Sequence, residues 1–129
     1  MPEIRCNTKS PPQEGWSLKM SAIAEAVEEL EIEQTVYVWI GPVKGALGKH
    51  DYKDGMHVVS ISHALNADTV SLALWHELAH CMQSERHMKA SGFDFKKSYS
   101  FNNVIYNLNE YEREANKIMY LNREKSLIK

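Results

Sequence analysis

The sequence predicts an α+β fold, and three observations carry that expectation. Apolar residues recur at three- and four-residue spacing in three separate stretches, the signature of amphipathic helices. Between the first and second of these lie two short β-branched runs, which read as strands of a small sheet. Finally, 129 residues of which 43% are hydrophobic suffice for one modest core without disulfides. No repeat, low-complexity tract or inter-domain linker divides the chain, so a single domain is expected over residues 16–124.

Residues 1–15 place Pro2, Pro11, Pro12 and Gly15 among polar residues without periodicity and are expected to form a flexible arm. From Ser17 onward Leu18, Ala22, Ile23, Ala26, Val27 and Leu30 mark an N-terminal helix, with Glu25, Glu28 and Glu29 on its polar side. Thr35 to Ile40 is β-branched and aromatic and stops at Gly41-Pro42, which predicts a strand buried on at least one face. A glycine-punctuated loop from Gly41 to Gly55 then leads to a second strand over His57 to Ser62. Asp68-Thr69 is a candidate N-cap, and Val70 to about Glu85 reads as a long helix. A mixed stretch around Gly92 suggests a loop, and Val104 to Arg123 carries the last helical pattern. The lysine-rich tail, residues 125–129, is expected to fray.

Charge excludes some functions. The 15 basic and 17 acidic residues are interspersed and leave a net charge of −2, so no basic footprint argues for nucleic acid or an anionic membrane. Cys6 lies in the polar leader and Cys81 inside a helical run, a pattern that fits reduced thiols and a cytoplasmic setting. No signal-like segment or bilayer-length apolar run is present, and the oligomeric state is left open.

The chemistry is concentrated in Trp75-His76-Glu77-Leu78-Ala79-His80, an H-E-x-x-H motif within the long helix. Residues four apart on a helix lie about 40° apart in angle, so His76 and His80 can bind one ion. Glu77 sits about 100° from His76, beside the metal and not on it. Leu74, Leu78 and Cys81 fall on the opposite face, giving the helix an apolar back and a polar front. Zinc takes imidazole nitrogen at about 2.0–2.1 Å in tetrahedral geometry. Two histidines therefore call for a third protein ligand and leave one position for water, whose proton Glu77 would accept. One zinc ion per chain is expected.

Asn109-Glu-Tyr-Glu-Arg-Glu-Ala-Asn116 offers three carboxylates for the third ligand. With Glu112 as reference, Leu108, Ala115 and Met119 fall within about 60° and Tyr111 and Ile118 extend that arc, so Glu112 borders the buried face. Glu110 and Glu114 fall on the other side with Arg113 and Lys117, where a solvated, mutually paired surface is expected. Asn116, one turn after Glu112, points the same way and is placed to hydrogen-bond a ligand.

These elements together resemble the ImmA/IrrE-type metallopeptidases. H-E-L-A-H followed by Glu112-Arg-Glu-Ala-Asn116 is similar to that family's H-E-x-x-H and E-x-E-A-[ND] pattern, over about Val58 to Met119. The prenyl-protein membrane proteases share a similar E-x-x-A-D element. The resemblance implies a minimal zincin-like domain with zinc on His76, His80 and Glu112, Asn116 behind them, and Glu77 as the catalytic group. It also implies hydrolysis of peptide bonds in a protein or peptide substrate, which would pair with the strand before the metal helix, Val58 to Ser62. Two departures stand out. Lys117 to Asn122 replaces the family's usual F-A-x-x-L-L-x-P continuation, and no helix-turn-helix is evident. Metzincins fit less well, because Gln83 and Arg86 stand where glycine and histidine are needed. An SprT-like protease would have only His87 as its further ligand. His63, His87, Tyr99 and Tyr106 are all conceivable oxyanion stabilisers, and none is assigned. Two other classes stay open: a zinc-binding interaction or regulatory module without proteolysis, and a structural protein without metal. Glu77 favours the enzyme, since metal binding alone does not need it.

Overall fold

Alternation with period two decides which way the central sheet faces. The computed structural model describes residues 2–92 and 108–129. In order these form β1 (Ile4–Thr8), α1 (Met20–Glu29), β2 (Thr35–Gly41), β3 (Gly48–Lys53), β4 (Met56–Ser62), α2 (Ala67–Ser91) and α3 (Leu108–Leu121). Val36, Val38 and Ile40 of β2 are buried, as are His57, Val59 and Ile61 of β4. They lie opposite one another in register, so one sheet face is a continuous buried surface. Ile23, Ala26 and Val27 of α1 and Val70, Leu74 and Leu78 of α2 join the aliphatic members of that surface in a single core. The fold is α+β, as expected.

The sheet order is β1-β2-β4-β3, with β1, β2 and β4 parallel and β3 antiparallel to β4. Three expectations change here. Residues 4–8, within the supposed flexible arm, form β1 and pair with β2. The arm is also tied down further along, where Gln13 donates to the His63 carbonyl and the Trp16 indole donates to the Leu65 carbonyl. The supposed loop from Gly41 to Gly55 contains β3, closed onto β4 by Asp54-Gly55. Both of those residues have positive φ, 53° and 79°. That is the two-residue hairpin turn whose twist matches its strands, and glycine at its second position carries no steric penalty. Consequently β4 is hydrogen-bonded on both sides and offers no edge to a peptide; the outer strand beside it is β3.

Helix α2 begins earlier and ends later than its apolar periodicity suggested. The N-cap is Asn66, whose side chain accepts from the Thr69 N–H at 2.8 Å, and not Asp68 or Thr69. Asp68 lies in the first turn, where its charge suits the helix dipole. Gly92 ends the helix in the left-handed conformation, φ 70°, with its N–H on the Lys89 and Met88 carbonyls. Val104 to Asn107 of the last helical pattern, along with Tyr99 and Tyr106, lie outside the described residues. Among the described residues no helix is long and apolar enough to cross a membrane.

The tail does not fray. Leu127 is 1% exposed within the core, and Ile128 bridges Leu18. The Leu127 carbonyl accepts from the Lys19 N–H, and the Lys125 carbonyl accepts from the Trp75 indole. This clamp holds the start of α1 against the middle of the motif helix. Leu127→Ala should therefore cost about 2–5 kcal/mol in urea unfolding, the range for truncating a buried leucine. A change below about 0.5 kcal/mol, typical of exposed sites, would show the tail to be dispensable.

Candidate metal centre

Helical geometry puts His76, His80 and Gln83 on one face of α2, since Gln83 is seven residues past His76 and within about 20° of it in phase. The Nε2 atoms of His76 and His80 lie 3.1 Å apart, with their rings edge to face. Helix α3 packs across α2 and delivers Glu112, whose Oε1 is 2.9 Å from His80 Nε2 and whose Oε2 is 3.2 Å from His76 Nε2. Although Glu112 is 55% exposed, its carboxylate faces both histidines. Its neighbour Ala115 is fully buried, as the phase argument placed it, but Glu112 is more exposed than Glu114, the reverse of the order that phase suggested. Glu110 is exposed and belongs to neither of the ligand groups described below.

Gln83 is the residue that the sequence reasoning missed. It is fully buried, and its Nε2 donates to the Tyr111 carbonyl at 2.9 Å and to Glu114 Oε1 at 2.8 Å. Those two acceptors fix the amide orientation, so the Oε1 atom, 2.8 Å from His80 Nδ1, must accept from it. His80 then carries its proton on Nδ1, and its Nε2 presents a bare lone pair to Glu112. Two acceptors 2.9 Å apart repel unless a positive charge stands between them, either a proton or a metal ion. The donor set therefore fits a cation: two imidazole nitrogens and a carboxylate, a combination that zinc accepts.

Glu114 was assigned to a solvated surface. Besides accepting from Gln83, it pairs with Arg86 at 2.7 Å. That pair and the Gln83 bond hold its carboxyl below the usual glutamate range. It thus helps to lock α3 onto α2. Asn116 lies beside His76, on the side its phase suggested, and favours the protonated ring. Burial, then the adjacent His80, push the His76 pKa down, which favours the neutral imidazole a metal requires; Glu112 and Asn116 partly offset this.

Glu77 is buried, 7% exposed, beside the ligands and not among them. Burial and, secondarily, the charge on Glu112 push its pKa up to about 7. It faces the start of β3, where only glycine fits easily. A Cβ on Gly48 would come within 3.1 Å of Glu77 Cγ, Ile61 Cδ1 and the Ser60 carbonyl. Leu47, Gly48, Leu72, Ala73 and Met119 join His76 and Glu77 around an open cleft of about 390 Å³.

Among the described residues, two groups of side chains could hold a metal ion: His76, His80 and Glu112, and a buried set of His50, His57 and Cys81. His63 and His87 belong to neither. No protein-family model, curated protein or solved structure matches the chain. The site accordingly has to be judged on its own geometry.

Two measurements follow. Gln83→Leu should weaken metal binding about 10- to 100-fold in a competition titration, the range for losing a group that orients a ligand histidine. Unchanged affinity would mean that Gln83 does not set the His80 tautomer. In the metal-free protein, folded Glu77 keeps its proton up to about pH 7, whereas an unfolded glutamate releases it near 4.5. The folded state then binds more protons over that interval, so its stability is highest below it and falls as pH rises through it. Urea midpoints of chelator-treated protein should drop across this window, by on the order of 2–3 kcal/mol in stability. Glu77→Gln should flatten the drop, and an equal slope in both proteins would locate the effect elsewhere.

Proposed function

We propose that this protein is a zinc-dependent peptidase of the zincin type, akin to the ImmA/IrrE-type enzymes its motifs resemble. The observation that carries the reading is the convergence of His76, His80 and Glu112 from two helices, with the buried carboxylate of Glu77 alongside. A structural metal site would be served by the three ligands alone. A carboxylate held beside them at a desolvation cost has a use in catalysis.

Zinc, when bound, supplies a Lewis acid that polarises a carbonyl and makes water more acidic. The protein's own residues do the rest. Glu77 takes the proton of the attacking water and passes it to the departing amine. Gln83 keeps His80 in position, and Asn116 stands beside His76. Among the described residues no strand pairs with the outer edge of β3, and its first residue, Gly48, lines the cleft beside Glu77. An extended peptide can add to this edge by main-chain hydrogen bonds, the role that the sequence had suggested for β4. Leu47, Leu72, Ala73 and Met119 make the adjoining wall of the cleft apolar, which suits an apolar side chain next to the scissile bond.

The decisive comparison is wild type with Glu77→Gln, incubated with a proteome-derived peptide library and read by mass spectrometry. The variant should keep its metal by elemental analysis, while cleavage falls about 10²- to 10⁴-fold, the range for losing a general base. If both proteins hold metal and neither cleaves, or both cleave equally, Glu77 is not a catalytic residue. A metal-binding interaction module then becomes the better reading.

A further inference from the structure

The core between the sheet and α2 contains a second set of polar groups that the proposed reaction does not use. His50 of β3, His57 of β4, and Cys81 and Glu85 of α2 are between 0 and 8% exposed. His50 Nε2 lies 2.9 Å from His57 Nδ1, and His57 Nε2 lies 2.6 Å from Glu85 Oε2. Glu85 is itself anchored, its Oε1 accepting from the Glu33 N–H at 2.8 Å and its Oε2 from the Gln34 N–H at 3.1 Å. The Cys81 sulfur and one nitrogen from each histidine lie within 4.8 Å of one another.

We propose that His50, His57 and Cys81 form a second, buried binding site for a thiophilic cation, Zn(II) or Cu(I), with Glu85 orienting His57. The carboxylate accepts the proton of His57 Nε2, which leaves Nδ1 bare and aimed at His50. A carboxylate behind a ligand histidine is a recurrent support of metal sites. The same construction holds the first site, where Gln83 fixes His80 and the two imidazole nitrogens are 3.1 Å apart. A thiolate with two imidazoles selects soft or borderline ions such as Cu(I) and Zn(II) over magnesium or calcium. Sheet packing alone does not require this chemistry: in the next buried positions of the register, Val59 and Ile61 of β4 face Val38 and Ile40 of β2.

Without metal the groups form a chain in which His50 donates to His57 and His57 to Glu85. Loading breaks the first of these bonds: His50 moves its proton to its other ring nitrogen, and the Cys81 thiol releases its proton to solvent. Burial holds the thiol pKa well above its ordinary value, so the cation must displace that proton, as in other thiolate sites.

The test uses the full chain carrying Cys6→Ser, so that Cys81 is its sole cysteine. It is loaded separately with Zn(II) and with Cu(I), and X-ray absorption at the metal edge reads sulfur coordination. None of the three ligands of the first site, His76, His80 and Glu112, carries sulfur, so a metal–sulfur shell that depends on Cys81 reports the second. The shell should survive His76→Ala with His80→Ala and disappear on Cys81→Ser. Should the serine variant fail to fold by circular dichroism, His50→Gln takes its place and should lose the same equivalent of metal. A shell with one ion only assigns the site to that ion. If neither ion shows a metal–sulfur shell in the folded protein, or if the shell persists without Cys81, the proposal is overturned. Loss of the first site leaves this outcome unaffected, so the two readings fail independently.

Discussion

Gln83 is the joint on which the first site depends. One fully buried amide meets His80 on its own helix and, across the interface, the Tyr111 carbonyl and the Glu114 carboxylate on α3. Its removal would leave the buried His80 Nδ1–H without its acceptor, at a cost of about 1–3 kcal/mol. The same contacts set the tautomer of His80 and the position of α3, and α3 brings Glu112. Helix packing and ligand geometry are therefore a single constraint: the carboxylate reaches the histidines only where Gln83 has located its helix.

The two clusters on α2 follow from helical phase. His76, His80 and Gln83 share one side, while Cys81 and Glu85 fall about 140° and 180° from His76. Leu74 and Leu78 occupy that same inner side and are fully buried. The helix is thus polar toward α3 and mixed toward the sheet, where His50 and His57 meet Cys81 and Glu85. A single rotation of α2 would misplace both groups at once. Its position is over-determined by the Asn66 cap, the Gly92 terminus and the bond from Trp75 to the Lys125 carbonyl.

Legibility in the sequence followed the range of the interactions. H-E-x-x-H depends on angles within one helix, and periodicity reports those directly; the same phase put Glu114 on a solvated surface, which its bond to the buried Gln83 overrules. The N-terminal helix and the strands β2 and β4 announced themselves by apolar spacing. By contrast β1, Arg5 to Thr8 of which are exposed, gains its place from backbone pairing with β2, a non-local bond that leaves no apolar pattern. Residues 125–129 look like a solvated tail because one buried leucine and a few main-chain bonds hold them. β3 did leave a local trace that went unread: His50 and Tyr52 alternate with Lys49, Asp51 and Lys53 ahead of Asp54-Gly55, a strong hairpin signal.

The polar members of the core were hardest to read, because burial reverses the meaning of a residue type. Gln83, Glu85, His50 and His57 look like surface residues in a composition count, and each is inside. A glutamine three residues past a motif histidine, or a glutamate four past a buried cysteine, is visible in the sequence only as spacing. What turns spacing into a site is an anchored acceptor. Glu85 is fixed by two backbone N–H groups and Gln83 by two acceptors, and each in turn leaves a histidine nitrogen bare toward another histidine. Between His80 and Glu112 such a lone pair calls for a positive charge, whereas His50 already donates to the one on His57, a bond that a bound cation would have to replace.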